Sequence, residues 1–175
     1  VLITFEGAEG SGKSTQIGLL HKYLEQRGRA VVLLREPGGV RISEAIRRIL
    51  LDVRNEGMTQ ECETLLYMAA RSQVVAERIQ PALKKGQVVL CDRFLDSTVA
   101  YQGYGNGVDI SFIRQIGTLV TQGIAPQLTF LFDIEPEQGL ARTGRTKDRI
   151  ELRSLRYHQR VRKGYLAIAA QQPER

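Results

Sequence analysis

The chain has 175 residues, of which 42% are hydrophobic and 25% charged, and its formal net charge is +6. This length can bury a proper core without disulfide staples, and the composition is that of an ordinary globular chain. No apolar run approaches the length of a bilayer-spanning helix and no signal peptide opens the sequence, so we expect no membrane partner. The sequence begins at Val1 without a methionine, and we expect that one or more residues precede it.

Residues 1–86 predict two strands and three helices. The strands are predicted at residues 2–5 and 30–34. The second run is wholly apolar, so we expect that strand to be buried on both faces. The helix between the two strands is predicted to end at Gly28. Ser43 is predicted to cap a short helix, and Thr59 to begin a longer one that Pro81 kinks or restarts.

Residues 87–175 predict two more strands, each followed by helices. The strands are predicted at residues 88–91 and 128–134. Between them lies the Gly-rich stretch 103–107, which we interpret as a loop, and then a helix around residues 113–120. Pro136 is predicted to begin another helix, and apolar residues from Leu152 to Ile168 a final one. Strands alternating with helices predict an α/β fold with a parallel sheet and helices on both faces, and residues 1–175 read as one domain.

The cysteines indicate a reducing compartment. Cys62 and Cys91 lie far apart in unrelated contexts. Cys91 ends an apolar run, so we interpret it as a buried small hydrophobe rather than as a disulfide partner or a metal ligand. This pattern favours a cytoplasmic location.

Positive charge gathers between Arg142 and Lys163. Such a block serves nucleic acid or polyphosphate ligands equally well. No aromatic platform or zinc-finger spacing accompanies it. We therefore favour small phosphorylated ligands and expect no nucleic-acid partner.

Residues 7–14 match the pattern G-x-x-x-x-G-K-[ST] at every defined position, after a predicted strand and before a predicted helix. In such a loop, glycines let backbone N–H groups surround phosphate oxygens at a helix N-terminus. We therefore predict an ATP site formed by Gly7, Ala8, Glu9, Gly10, Ser11, Gly12, Lys13, Ser14 and Thr15. Lys13 is predicted to reach the β- and γ-phosphates, and the Ser14 hydroxyl to ligate Mg²⁺.

An acidic and a basic residue follow the third predicted strand. Asp92 and Arg93 come directly after four apolar residues. Because ligands bind at the carboxyl edge of a parallel sheet, Asp92 is predicted to lie beside the phosphate loop (residues 7–14) and to hold the metal through water. Arg93 is predicted to bind a phosphate. Both are candidate catalytic residues.

The phosphate loop fixes the donor site and leaves the reaction open. GTPases carry N-K-x-D for guanine, which this sequence lacks, and assembly-type ATPases carry a distal arginine sensor on a larger body. A small domain with a late basic segment fits a kinase whose lid excludes water from ATP. Another nucleotide or deoxynucleoside kinase, or a nucleotide-binding regulator without turnover, remains an alternative.

Four motifs in order resemble the thymidylate kinases, above all the bacterial ones. With the phosphate loop they are Arg35-Glu36-Pro37-Gly38-Gly39, Asp92-Arg93-Phe94 and Ala100-Tyr101-Gln102-Gly103. The resemblance implies the three-layer fold of phosphate-loop NTPases, with a fifth parallel strand and a closing helix that this chain does not contain. It implies transfer of the γ-phosphate of ATP to dTMP, giving dTDP and ADP, with Mg²⁺, in a cytoplasmic homodimer.

The resemblance also implies roles in dTMP binding. Arg35 and Arg93 would hold the phosphate, and Arg47 would approach the same end. Arg71, Gln102 and Thr98 would contact the thymine edge, although a lone arginine on a helix more often faces solvent. Tyr67 would stack on the base where the family usually has phenylalanine. Tyr101 would disfavour a ribose 2′-hydroxyl, and Glu9 would meet the 3′-hydroxyl.

The variable positions of the phosphate loop contain no basic residue. Phosphate-loop enzymes often need an arginine at the γ-phosphate. The resemblance places it in a lid, here residues 142–151. We therefore expect Arg145 or Arg149 to close over ATP as a catalytic cation, and Arg142 less so because it can belong to the preceding helix.

Overall fold

The computed structural model describes residues 1–144 and 146–175, and its sheet has four parallel strands in the order β2-β3-β1-β4. The strands are β1 (Leu2–Gly7), β2 (Val31–Arg35), β3 (Val88–Asp92) and β4 (Leu128–Phe132). Asp92 pairs in register with Phe5 on one side and with Arg35 on the other. The α/β fold and all four strands expected in this chain are confirmed, and three of them end side by side.

Helices follow every strand. They are α1 (Lys13–Gln26), α2 (Arg41–Leu51), α3 (Gln60–Val74), α4 (Gln80–Lys84), α5 (Leu95–Thr98), α6 (Ile110–Thr121), α7 (Pro136–Arg142) and α8 (Leu155–Gln171). A 3₁₀ turn spans Val53–Asn55, and π-helical segments span Val75–Ile79 and Val99–Gly105. None of the helices in the described part of the chain is long and apolar enough to cross a membrane.

Two predictions about caps and burial are wrong. β2 is an edge strand that pairs with β3, so Leu33 is 41% exposed and the strand is not buried on both faces. α2 begins at Arg41 with Val40 as its cap, which places Ser43 inside the helix. The buried Ser43 hydroxyl instead donates to the Ala70 carbonyl at 2.7 Å and ties α2 to α3.

Other boundary predictions are confirmed. The Thr59 side chain caps α3 by accepting from the Cys62 backbone N–H. Pro81 lies in the first turn of α4, where the chain resumes helical geometry after a π-helical segment. Gly28 and Gly86 both have positive φ just past their helices, as helix-ending glycines do.

The Gly-rich stretch is not a loop, because most of it belongs to the π-helical segment Val99–Gly105. α8 packs directly on this segment. A Cβ at Gly105 would come within 2.6 Å of the Tyr157 ring, and one at Gly164 within 2.7 Å of Tyr104. Glycine is therefore required at both contact points.

The buried core forms three clusters, and the smallest joins Phe5 and Leu90 of the sheet to Ile17 of α1. One cluster joins β1–β3 to α3 and the π-helical segment after it, around Leu2, Val74 and Val89. A second joins α3, α6, α8 and the π-helical segment Val99–Gly105, around Met68 and Ile113. Cys91 is buried in the first cluster and Cys62 is exposed, and both are free thiols, as expected. The second cluster packs behind the crevice described below.

Candidate active site

The phosphate loop connects β1 to α1 and lies close to neighbouring backbone. Gly7 and Gly10 have φ of 138° and 66°. A Cβ at Gly7 would lie 2.4 Å from the Phe132 carbonyl oxygen, and one at Gly10 would lie 2.1 Å from that of Gly139. Glycine is required at both positions for conformation and for space.

Lys13 reaches back across the loop from the first turn of α1. Its Nζ donates to the carbonyl oxygens of Gly7 at 3.0 Å and Ala8 at 2.7 Å. Burial, with the nearby charge of Arg93, lowers the pKa of Lys13 to about 7. Phosphate oxygens would supply the anionic partners that favour its charged form.

Ser14 and Asp92 meet at the mouth of the loop. The Ser14 hydroxyl donates to Asp92 Oδ2 at 3.1 Å. Mg²⁺ usually takes one or two protein oxygens and completes its shell with water and substrate phosphates. Within residues 1–144 and 146–175 no group of three or more His, Cys, Asp or Glu could hold a metal. The Ser14–Asp92 pair nonetheless has the oxygen ligands that such a sparse Mg²⁺ site uses.

Arg93 lies between the phosphate loop and α8. Its φ is 72°, a left-handed conformation that few non-glycine residues adopt and that often marks functional sites. Its guanidinium donates to the Gly7 carbonyl at 2.9 Å, the Tyr165 hydroxyl at 3.0 Å and Glu9 at 3.1 Å. The side chain is therefore fixed toward the loop.

The buried carboxyl of Glu6 holds groups that contact Arg93. Glu6 accepts from the Phe94 backbone N–H at 2.8 Å and from the Ser97 hydroxyl at 2.6 Å. Ser97 and Tyr165 both also contact Arg93. Burial, and the charge of Asp96, raise the pKa of Glu6 to about 7.

Glu9 projects from the phosphate loop into a set of three partners. It accepts from the Tyr101 hydroxyl at 2.5 Å and from Arg93, and its Oε2 lies 3.6 Å from His158 Nδ1. Burial acts to raise its pKa, but His158, Arg93 and Tyr101 together lower the pKa of Glu9 to about 2. Its carboxylate is thus held ionised.

His158, for which no sequence pattern predicts a role, is 1% exposed and faces the loop. The available signal was its position on the apolar face of α8. It stands three and seven residues before Val161 and Tyr165, both of which are buried.

Arg71 is 2% exposed, so the usual expectation of a solvated helix arginine is wrong here. Its guanidinium donates to Glu36 at 2.7 Å, Thr98 at 2.9 Å and the Phe94 carbonyl at 2.9 Å. Burial raises the pKa of Glu36 despite the adjacent positive charge. A guanidinium has five N–H groups, and Nη1 also donates to Met68 Sδ at 3.6 Å, so one N–H of Nη2 remains for a ligand.

Two further arginines lie beside the segment that follows β2. Arg35 donates to Glu44 at 3.1 Å in a half-exposed ion pair. Arg47 donates to the Pro37 carbonyl at 3.0 Å, and partial burial lowers its pKa. Both side chains stand where the chain leaves β2.

These groups surround one crevice of about 370 Å³ at the carboxyl edge of the sheet. The predicted site residues that line it are Glu9, Gly10, Lys13, Ser14, Arg35, Arg47, Tyr67, Arg71, Asp92, Arg93, Thr98, Tyr101 and Gln102. The structure therefore brings the predicted donor and acceptor residues together. Gly7, Ala8, Ser11, Gly12 and Thr15 complete the loop and the start of α1 behind this lining.

The lid segment (residues 142–151) also reaches the crevice, through Asp148, Ile150 and Glu151. Arg149 does not line it. The Arg149 side chain is buried, lies 2.6 Å from Glu63 and donates to the Leu50 carbonyl at 2.8 Å. Arg142 ends α7 and is exposed, and Arg145 lies outside the described residues.

Comparison with known proteins gives concordant matches. A family model described as thymidylate kinase matches residues 5–175. The thymidylate kinase of Bacillus pumilus is 48% identical over 179 residues, which cover 100% of this chain and 84% of that protein. The thymidylate kinase of Symbiobacterium thermophilum is 50% identical over 176 residues, covering 100% and 82%. The crystal structure of thymidylate kinase from Ehrlichia chaffeensis is similar with a TM-score of 0.84 at 38% identity, covering 100% of this chain and 89% of that one.

Proposed function

The chain belongs to the thymidylate kinase family of nucleoside monophosphate kinases, and we propose that it transfers the γ-phosphate of ATP to dTMP in the crevice described above. The products are dTDP and ADP, a step toward dTTP. One observation carries the assignment to this crevice. The phosphate loop and the arginines after β2 and β3 line the same cavity, so a donor and an acceptor phosphate fit there together.

On the donor side, Lys13 and the loop N–H groups bind the β- and γ-phosphates of ATP. Ser14 and Asp92 hold Mg²⁺, which when bound supplies positive charge to the phosphates. The loop glycines keep the backbone close enough to encircle these oxygens. This part of the site neutralises charge, which is most of what phosphoryl transfer asks of a protein.

On the acceptor side, Arg35, Arg47 and Arg93 bind the dTMP phosphate. Its oxygen attacks the γ-phosphorus in line, and no general base is needed because a phosphate monoester is already ionised near neutral pH. Arg93 lies at the phosphate loop and neutralises charge shared by the two nucleotides. Its fixed side chain aligns the two phosphates.

The thymidine part of dTMP lies deeper in the crevice. Arg71, Gln102 and Thr98 bind the thymine edge, and Tyr67 stacks on the ring. Burial keeps the pKa of the Tyr67 hydroxyl well above its usual value, so it stays neutral against the base. The ionised Glu9 accepts from the sugar 3′-hydroxyl.

Tyr101 sets the sugar preference. Its hydroxyl is fixed on Glu9, and its ring lies edge-on to those of Tyr157 and Tyr165. A ring held in this way stands against a ribose 2′-hydroxyl. The crevice therefore favours deoxyribonucleotides.

The lid segment supplies the cation that the phosphate loop lacks. Arg149 is held by Glu63 and the Leu50 carbonyl, away from the crevice lining. This favours Arg145, with Arg142 second, as the residue that closes over ATP.

The protein acts as a cytoplasmic homodimer without nucleic-acid or membrane partners. Leu65 on α3 and Phe112 and Leu119 on α6 are large apolar side chains exposed on adjoining helices. A second copy of the chain would cover them. The two free cysteines are consistent with a reducing compartment.

A panel of nucleoside monophosphates tests the activity. With ATP and Mg²⁺, dTMP is expected to give the highest kcat/KM, measured by coupled ADP release. Preferred turnover of another monophosphate would favour a different nucleotide kinase. ATP binding without turnover of any acceptor would favour a regulator.

A further inference from the structure

Glu63 is a buried carboxylate at which two parts of the active site meet. It lies in the first turn of α3 and is 0% exposed. Its Oε1 accepts from Gln102 Nε2 and from Asn106 Nδ2, both at 2.9 Å. Its Oε2 accepts from Arg153 Nη2 at 2.9 Å and forms an ion pair with Arg149 Nη2 at 2.6 Å. An acid in the first turn of a helix can interact with the helix dipole alone, and such a role does not require any of these contacts.

The carboxylate decides which way the Gln102 amide points. Carboxylate oxygens only accept hydrogen bonds, so the amide must present its NH₂ group to Glu63. Gln102 is itself buried and lines the crevice. Its carbonyl oxygen is therefore the group left to face a ligand there.

Asn106 strengthens this arrangement. Its Nδ2 donates to Glu63 and its Oδ1 accepts from Arg153 at 3.0 Å. Flipping the Asn106 amide would set its NH₂ group against a guanidinium and its carbonyl against a carboxylate. The polar groups around Glu63 thus have one consistent orientation.

A carbonyl oxygen in the base subsite selects bases by their edge. Thymine and uracil have an N3–H that can donate to it, whereas cytosine has a lone pair at N3. A site built to accept a hydrogen bond from a substrate N–H strongly rejects an analogue without that N–H, because buried polar groups are then left unpaired. The fixed amide therefore favours imide bases over cytosine.

The same carboxylate holds the end of the lid segment. Arg149 belongs to that segment and also donates through its backbone N–H to the Leu51 carbonyl at 3.2 Å. Its neighbours Asp148 and Ile150 line the crevice. Any shift of Glu63 would disturb the base-reading amide and this end of the lid together.

We propose that Glu63 is a positioning residue that sets the acceptor-base specificity by fixing the Gln102 amide, and that it links this amide to the lid segment through Arg149. The proposal rests on the proposed function, since it concerns the base of that acceptor.

The test is Glu63→Gln, with Glu61→Gln as the matched control, because Glu61 is exposed in the same helical turn. A glutamine at position 63 can donate or accept, so the Gln102 amide loses its fixed orientation. For Glu63→Gln we expect the ratio of kcat/KM for dTMP over dCMP to fall at least about tenfold. KM for dTMP should rise more than kcat falls, and the control should match the parent.

The dTMP/dUMP ratio is an internal reference. Both bases carry N3–H, so their ratio should stay within about twofold of the parent while the dCMP ratio falls. An unchanged dTMP/dCMP ratio in a folded variant overturns the proposal, and so does an equal change in both ratios. Parent turnover of dTMP, measured first, tests the proposed function separately.

Glu63→Gln leaves the buried Arg149 with less compensating charge, which can prevent folding. The double variant Glu63→Gln/Arg149→Met removes both members of that pair and still leaves the Gln102 amide free to turn. It should show the same fall in the dTMP/dCMP ratio. A folded double variant with parental discrimination would contradict the proposed role of Glu63.

Discussion

The two walls of the crevice are built differently. On the acceptor wall, Arg71 is buried in an ion pair with Glu36. Gln102 is held there by Glu63, whose own buried ion pair with Arg149 lies outside the crevice lining. On the donor wall, the Ser14–Asp92 contact is exposed to solvent, and Lys13 is bonded to loop oxygens and to no carboxylate within residues 1–144 and 146–175.

The difference suits the acceptor wall to recognition of the substrate and the donor wall to neutralisation of phosphate charge. Breaking a buried pair leaves an uncompensated charge, so the acceptor wall keeps one geometry. Exposed groups exchange water for phosphate oxygens at little cost. We therefore expect substitutions on the donor side to reduce kcat and substitutions on the acceptor wall to change dTMP binding and stability.

The largest effect is expected in the lid segment. Arg145→Ala should lower kcat by about a thousandfold with little change in dTMP binding, as for arginines at a transferring phosphate. If Arg145→Ala lacks this effect, Arg142→Ala should show it. Arg149→Ala should instead raise KM for dTMP, because Arg149 forms an ion pair with Glu63, which holds Gln102. Single-turnover kinetics on the three variants would measure both the rate of phosphoryl transfer and the binding of dTMP. If all three matched the parent, the cation would have to come from a partner subunit.

Lys13→Ala tests the role of the donor wall. It removes the cation at the transferring phosphate and should lower kcat at least about a hundredfold. The fold should persist, since Lys13 bonds only to nearby loop oxygens. Circular dichroism and dTMP binding serve as controls. Near-normal turnover by a folded variant would refute the donor-site assignment.

Arg71→Ala probes the acceptor wall and should act on two quantities. We expect kcat/KM for dTMP to fall by about thirtyfold, because polar groups of the base lose a partner, while ATP affinity stays within about twofold. Thermal unfolding should show that the free energy of unfolding falls by about 3–5 kcal/mol, because Glu36 stays buried without its ion-pair partner.

Arg48→Ala, on the exposed face of α2, is the matched control for this variant. Parental dTMP kinetics in Arg71→Ala would mean that Arg71 has a structural role alone. A loss of ATP affinity with unchanged dTMP kinetics would contradict its place on the acceptor wall.

Local patterns predicted that the candidate donor residues lie together at one edge of the sheet. The phosphate loop, Asp92 and Arg93 follow strands directly, and parallel strands end at one sheet edge, so their convergence needed no long-range information. The order of the strands is not local, which is why β2 was expected to be buried although it lies at the edge.

The buried polar partners could not be predicted in the same way. Glu63 and His158 read as ordinary helix residues, since their partners lie up to 149 positions away in the sequence. Ser43 likewise looked like a cap because its acceptor, the Ala70 carbonyl, lies on another helix. Helical periodicity shows which face a residue occupies and not which polar group meets it there.

The carboxyl of Glu6 links folding to proton uptake. Burial raises its pKa from an ordinary value of 4.5 to about 7 in the folded protein, so between those values the folded chain carries a proton that the unfolded chain has released. The stability that this group contributes is complete below pH 4.5 and is lost as the pH rises through about 7. Ser97 connects Glu6 to Arg93, the arginine proposed to bind the acceptor phosphate, so this arginine is linked to a group that changes charge close to neutrality. A change in pH near neutrality would therefore alter the electrostatic surroundings of Arg93, although Glu6 is buried.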